Sequence, residues 1–442
     1  MKRTYIQDLH DHIGKEVSIA GWVDVRRDHG KLVFIDLRDA TGTVQMVALP
    51  NHEEAHALTH TVRPEWVLSI KGQVNKRPEK MVNANTPTGD IEIEILRVEI
   101  LNKAQELPFE KSTELNLDTY LDYLPLTLRT ARSRAIFRVQ AHIIRAFRDF
   151  LTQEGFTEIQ VPKIVGGDAE GGAAVFPIEY FGHTAYLATS PQLYKQIMVG
   201  VFEKVFATGN IYRAEKHSTT RHINEYTSLD LEMGFIKDHM DIIELETRFL
   251  HFLLKYLGES RAEDFKLLIA ELPALPATIP TMKLREAQEI IKKETGEDCT
   301  NAPDLEPQHE RWLCEYAHKK FASDFIFITH YPVKKRPFYT YEDENDLGYT
   351  KSFDLLFRGL EITTGGQRIN DHDKLVANIK AWGLDPEKFS YYLQSFKYGM
   401  PPEGGLAIGL ERITAKLLGL ENIKEATLFP RDLNRIDTLL SE

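Results

Sequence analysis

Apolar and polar residues alternate along residues 17 to 101 of this 442-residue chain, the period of strands buried on one face. Val17-Ser18-Ile19-Ala20-Gly21-Trp22-Val23, Lys31-Leu32-Val33-Phe34-Ile35-Asp36-Leu37 and Thr43-Val44-Gln45-Met46-Val47 come first, then Trp66 to Gly72 and Asp90 to Leu96. A helical stretch, His52 to Thr61, follows the third run. Five short strands interrupted in this way predict a small closed barrel. Residues 104–130 carry polar residues, Pro108 and Pro125, and read as a linker or hinge. The period then changes. Ile136, Val139, Ile143, Phe147 and Phe150 recur at near-helical spacing, with Gly155 placed to end the helix. Phe156 to Pro162 reads as a strand closing at a proline. Beyond 174, strands and helices mix without a βαβ rhythm, which predicts an antiparallel sheet flanked by helices. Residues 238–320 are rich in helix formers and charge and read as a helical insertion.

Composition narrows the class. The chain is 42% hydrophobic and 27% charged, a globular balance long enough for two or three domains. Its net charge of −12 excludes a protein coated in nucleic acid but leaves room for local basic contacts with RNA. Cys299 and Cys314 are the only cysteines and form no CxxC pair, so neither a disulfide framework nor a zinc site is expected, and a reducing cytoplasm fits. The N-terminal MKRTYIQDLHDH has no signal-peptide core, and no apolar run approaches a membrane span. Neither GxxxxGK[ST] nor a strand–GxGxxG–helix occurs. A nucleotide would therefore be held by side chains on a sheet.

Two segments carry the candidate chemistry. IYRAEKHSTTRHINEY (211–226) contains Arg213 and Glu215, and GGLAIGLERI (404–413) contains Glu411 and Arg412. An arginine beside a carboxylate, supplied twice, suits a polyphosphate bound with its metal, because the guanidinium fork matches phosphate oxygens and stays charged when buried. Taken singly, each arginine is a surface salt bridge. Together the segments resemble motifs 2 and 3 of the class II aminoacyl-tRNA synthetases. Ser190 to Gln196 and Gly365-Gly366-Gln367-Arg368 resemble the aspartyl branch, archaeal/eukaryotic type. The helix, strand and proline of 131–162 resemble motif 1, the dimer-forming element, although alone they read as a core helix with an edge strand.

The resemblance covers nearly the whole chain. It implies an α+β protein: an OB-fold anticodon-binding barrel (1–103), the linker, and a class II catalytic domain (131–442) whose antiparallel sheet is flanked by helices. It implies a homodimer that activates L-aspartate with ATP and Mg²⁺ and transfers it to tRNA(Asp), with tRNA(Asn) as a second candidate. Arg213 and Arg412 would be catalytic, on the α- and γ-phosphates. Glu215 would accept from the adenine amino group, with Tyr226 against the ring. Arg221 and His222 would hold the outer phosphates, and Ala214, Ile223, Gly409, Leu410 and Glu411 would complete the nucleotide site. Asp354, Glu361 and Thr364 would carry Mg²⁺, Thr364 standing where relatives usually have serine. Arg368 and Lys195 would read the aspartate carboxylate, Gln192 and Glu170 the α-amino group, and Arg213 and Thr364 would also touch the amino acid. Glu170 belongs to a glycine-rich loop (166–172) resembling one that closes over aspartate. In the barrel, Phe34 would stack on a base, Gln45 would reach a base edge and Arg26 would add positive charge. Pro87 and Asp24 fall at positions that govern tRNA discrimination, where Asp24 would repel a phosphate. Competing readings are an asparaginyl enzyme, a tRNA-independent amide synthetase, and a tRNA-binding regulator with an inactive core.

Overall fold

The computed structural model describes residues 2–440 apart from 85, 112, 168–173 and 218. The chain divides into Met1–Glu114 and Leu115–Glu442. The division falls inside the expected linker. The second half of that linker is helical, at Leu117–Asp122 and Leu124–Thr127. The Asn116 side chain accepts from the Thr119 N–H to cap the first of these, and Pro125 sits in the first turn of the second, where its missing N–H costs nothing.

In the first unit, strands Glu16–Asp28, Val33–Arg38, Thr43–Ala48, Val67–Lys76 and Ile91–Asn102 close a barrel, with helix Glu53–Thr59 after the third. Val17, Ile19, Val33, Ile35, Leu37, Met46, Ile70 and Ile93 fill its interior. The alternation that predicted the strands is this inward set, so Phe34 and Gln45 fall on the outer face, half-buried. A bulge between Val23 and Val25 shifts the register of the first strand, and Arg27 lies opposite Phe34.

The second unit is built on an eight-stranded sheet. Its order is Thr281–Lys283, Phe325–Thr329, Ser352–Phe357, Leu360–Gln367, Glu403–Gly409, Glu225–Gly234, Lys204–Tyr212, Thr157–Glu158. Pairing is antiparallel except at the two edges. Helix Ala131–Gln153 buries the five apolar positions read from its spacing, and Gly155 follows at φ +80°. Phe147 meets Phe206 and Phe249 edge-on at 5.8 and 5.3 Å. The expected strand at 156–162 shrinks to Thr157–Glu158, because only those residues reach the edge ladder.

The segment 238–320 is helical at Met240–Leu267, Leu284–Thr295 and Pro307–Phe321, but it is not an appendage. Ile242, Phe249, Leu253 and Leu257 belong to the main core, and Thr281–Lys283 forms a sheet edge. Apart from the buried Glu246, Asp264 and Glu310, its charges lie mostly on outward faces and mask an inward stripe in the raw composition. Helices Ala131–Gln153 and Met240–Leu267 pack with Phe353, Leu355, Leu406 and Ile408 of the sheet in that core. Asp354 and Thr364, paired across two adjacent strands, alternate with core-facing neighbours and belong to the opposite face.

Candidate active site

That opposite face carries a cavity of ≈ 480 Å³ lined by Arg213, Glu215, Arg221, Glu361, Arg368 and Arg412 among others. Both sequence motifs therefore meet on one wall. At the end that holds Arg213, Asn224 pins the turn after strand Lys204–Tyr212 by donating to the Arg213 and Glu215 carbonyls at 2.7 and 2.9 Å. The Arg213 guanidinium lies 5.9 Å from the Tyr226 ring centroid and 4.0 Å from the Glu215 carboxylate. Arg221 donates to both oxygens of Glu310, at 3.0 and 2.7 Å. One Glu310 oxygen also accepts from the Glu361 backbone N–H at 3.3 Å. Burial, then the Arg412 charge, lowers the His222 pKa.

Arg412 donates to the Glu361 carbonyl at 3.0 Å and lies 3.6 Å from its carboxylate. Gly409 lines the cavity at the start of helix Leu410–Leu418. Glu411 accepts from the Thr227 N–H through both oxygens, at 3.0 and 3.1 Å, which ties this helix to the neighbouring strand. Burial pushes its carboxyl up to about 7. Ile223, His222 and Tyr226 line the cavity, whereas Leu410 and Ala214 do not. Leu410 is a core residue, and the Ala214 N–H bonds to the Ala174 carbonyl.

Thr364 donates to the Glu361 carboxylate at 2.8 Å and lies across the sheet from Asp354. Asp354 does not line the cavity; its ion-pair partner Arg336, at 2.7 Å, does. Burial raises the Asp354 carboxyl, while at Glu361 burial is outweighed only by the Arg412 charge, the Thr364 hydrogen bond and the Arg336 and Arg213 charges together, which lower it. No cluster of three or more His, Cys, Asp or Glu able to hold a metal occurs among the described residues. Two carboxylates and a hydroxyl are still the hard oxygen set that Mg²⁺ takes when phosphates and water supply its other ligands. The buried Asp354 Oδ1, which has no hydrogen bond of good geometry, fits such a use.

Elsewhere on the wall, Arg368 is 6% exposed and lines the cavity. Its Nε donates to Glu232 at 2.8 Å and one Nη2 proton to the Gly405 carbonyl at 3.0 Å. Tyr339 lies 5.5 Å from its guanidinium. Gln192 and Ser190 line the same wall, and Gln192 donates to Glu232 at 3.3 Å. Lys195 is not on the wall: its buried ammonium pairs with Asp230 at 2.9 Å and Glu232 at 3.3 Å. A Cβ on Gly405 would lie 2.1 Å from the Leu231 carbonyl oxygen and 2.4 Å from the Glu232 carboxylate, so the bare backbone there makes room for the neighbouring strand and for this anion. Glu170 lies outside the described residues.

Asp230, Glu232, Glu310 and Arg336 were missed from the sequence. The alternation Ser228-Leu229-Asp230-Leu231-Glu232 signals two acids on one strand face, and Asp230 does line the cavity.

On the barrel, Arg27 donates to Asp36 at 2.6 and 2.9 Å and to the Gln45 amide oxygen at 3.2 Å. Phe34 lies beside them with His29 edge-on at 5.8 Å. Arg26 is engaged with the His60 carbonyl and Asp28. Pro87 sits in an exposed turn. Asp24 corrects the expectation of a repelling acid, because Lys111 at 2.8 Å and Arg38 at 3.4 Å offset its charge. Glu65 completes this cluster; its ion pairs outweigh burial and bring its carboxyl to about 2.

Residues 116–433 match the family described as tRNA synthetases class II (D, K and N), and residues 17–101 match the OB-fold nucleic acid binding domain. The chain belongs to the class II tRNA synthetases of this D, K and N group, with the OB-fold barrel at its N-terminus. Its relatives match over their full length. An aspartate–tRNA(Asp/Asn) ligase of Thermus thermophilus is 46% identical, over 98% of this chain and 99% of that protein. An aspartate–tRNA(Asp) ligase of Pyrococcus abyssi is 38% identical, over 99% and 100%. Among solved structures, asparaginyl-tRNA synthetase from Pyrococcus horikoshii complexed with asparaginyl-adenylate superposes with TM-score 0.90 at 32% identity, over 99% of each chain. Aspartyl tRNA synthetase from Entamoeba histolytica gives 0.88 at 30% identity, over 99% and 93%.

Proposed function

We propose that this chain is an aspartate–tRNA ligase, which joins L-aspartate to ATP as aspartyl-adenylate and passes the aspartyl group to the 3′ end of tRNA. The observation that carries this reading is Arg368, a buried guanidinium at the cavity wall whose Nε and one Nη2 proton are already committed. Its remaining edge suits a side-chain carboxylate, and a neutral amide there would offer that edge one acceptor oxygen in place of two charged ones. Asp230 and Gln192 on the same wall are placed for the α-ammonium. The α-carboxylate then attacks the α-phosphate, where Arg213 stabilises the charge that develops. Arg221, His222 and Arg412 address the outer phosphates. Mg²⁺ held by Glu361, Asp354 and Thr364 would offset phosphate charge. The homodimer, through helix Ala131–Gln153, and a cytoplasmic location belong to the same reading.

ATP–pyrophosphate exchange with each amino acid tests the assignment: aspartate should support it and asparagine should not. Equal exchange with asparagine would move the chain to the asparaginyl reading, which the Pyrococcus horikoshii likeness keeps in view. No exchange with either would return it to the regulator reading, against which stand Arg213, Glu361 and Arg412 on one cavity.

The barrel would read the anticodon by stacking a base on Phe34. Phe34→Ala should lower tRNA charging by about 1–3 kcal/mol of lost stacking and leave adenylate formation unchanged. An equal fall in both steps would make Phe34 a folding residue.

Charging of tRNA(Asn) as well as tRNA(Asp) is the second part of the proposal. Relatives at 46%, 45% and 40% identity carry the Asp/Asn name, as does a Methanopyrus kandleri relative at 38%, whereas Pyrococcus relatives at 37–38% carry Asp alone. Pro87 offers no side-chain donor and no backbone N–H to the base that separates the two tRNAs. The two purified tRNAs, charged at one salt concentration, should differ by no more than about tenfold, since a base contact worth roughly 1–3 kcal/mol is missing. A preference of several hundredfold for tRNA(Asp) would sink this part.

A further inference from the structure

Asp354 has the strand position of a metal ligand, yet a cation of the chain itself stands between it and the cavity. Arg336 Nη2 meets Asp354 Oδ2 at 2.7 Å, with the guanidinium 3.9 Å from the Tyr331 ring centroid. Arg336 lines the cavity and Asp354 does not. The pair is incomplete: Arg336 Nε and Asp354 Oδ1 are both buried without a hydrogen bond of good geometry, the Tyr331 hydroxyl being the other polar group that bears on the Asp354 carboxyl. The contrast is with Arg221 and Glu310 nearby, where both carboxylate oxygens accept. A finished structural salt bridge in a buried place satisfies its forks. This one leaves a donor and an acceptor in reserve.

We propose that Arg336 is an internal counter-ion that occupies Asp354 until nucleotide arrives, so that the divalent cation enters with ATP and not before it. The inference rests on the reading of this cavity as an ATP and metal site. Without nucleotide, the two carboxylates already have cations, Arg336 on Asp354 and Arg412 on Glu361. A free dication would have to shed water, displace a tethered guanidinium and raise the positive charge of a wall that also holds Arg213 and Lys335. ATP reverses each term. Its phosphates offer the guanidinium a new partner on the cavity side, the Tyr331 face gives it a flat support while it turns, and Asp354 is left open to the metal. Metal and nucleotide then favour each other reciprocally. Arg336 thus acts through Asp354 as a positioning residue.

Mn²⁺ serves as the probe, its binding to the full-length protein followed by electron paramagnetic resonance. Without nucleotide, Arg336→Gln should bind Mn²⁺ at least about tenfold more tightly than wild type, within the usual range of coupling between sites. Adding Asp354→Asn to that variant should abolish the gain, and Arg336→Lys, which keeps the charge, should stay near wild type. A purely structural role for Arg336 moves the affinity down, not up. Equal or weaker Mn²⁺ binding by Arg336→Gln, or a gain that survives Asp354→Asn, overturns the proposal. Should Arg336→Gln fail to fold, Asp354→Asn alone decides. Its nucleotide-free Mn²⁺ affinity should match wild type, because Asp354 is already occupied, and a tenfold loss overturns the proposal. Wild-type ATP–pyrophosphate exchange with and without divalent cation is run beside it. Exchange indifferent to the metal would refute the reading of the cavity itself, whatever the Mn²⁺ titrations give.

Discussion

Arg368→Leu abolishes aspartate-dependent ATP–pyrophosphate exchange while ATP binding persists: this is the largest effect expected of any single substitution in the chain. Two of the guanidinium's five N–H groups are spent on Glu232 and Gly405, which fixes its plane, and Tyr339 backs it. The edge that remains can take a carboxylate through paired charge-assisted bonds. Removing it should cost at least ~3 kcal/mol, more than a hundredfold in kcat/KM for aspartate. Glu232 would lose a partner but keep Lys195 and Gln192, so the fold should survive, as circular dichroism would confirm. Aspartate-dependent exchange within tenfold of wild type would dismiss Arg368 as the specificity residue.

Arg213→Ala should act on the chemical step instead. The Asn224 side chain donates to the Arg213 and Glu215 carbonyls and the Asn224 carbonyl accepts from the Arg213 N–H at 2.9 Å, so the guanidinium is delivered to the cavity from a fixed turn. A pre-placed charge aimed at a phosphate that gains negative charge in the transition state contributes most to kcat. Loss of one such group is worth about 2.7–4 kcal/mol, or 10²–10³ in rate. Pre-steady-state adenylate formation should slow by that factor with the KM for aspartate nearly unchanged. A rise in KM for aspartate at constant kcat would place Arg213 in substrate binding alone.

The barrel and the long first helix were legible because each buries one face, and that face imposes its own period on the sequence. Val17, Ile19, Val33 and Ile35 alternate, and Ile136, Val139, Ile143 and Phe147 step round a helix. Arg213 with Glu215, and Glu411 with Arg412, were legible because the chemistry sits within a few residues of one chain segment. What escaped depends on partners far apart in sequence. Glu310 matters because Arg221 folds onto it, and Arg336 because Asp354 lies beneath it; neither acid nor arginine has a local pattern to mark it. Lys195 read as a substrate-facing cation because nothing in its own segment announced Asp230 and Glu232 on the adjoining strand. The segment 238–320 read as an insertion because surface charge outnumbers the apolar residues that seat Met240–Leu267 in the core.

The bare backbone at Gly405 has a consequence for how this pocket can change. The anion that orients Arg368 occupies the space where any other residue would put its first carbon. Redirecting the enzyme to a different amino acid by exchanging only the residues that face the substrate would leave that anion, and the guanidinium plane it dictates, where they are. On the proposed role of Arg368, preference for an acid would be written into the main chain of a central strand. A lineage drifting toward another substrate would have to rebuild the strand behind the pocket along with its visible wall.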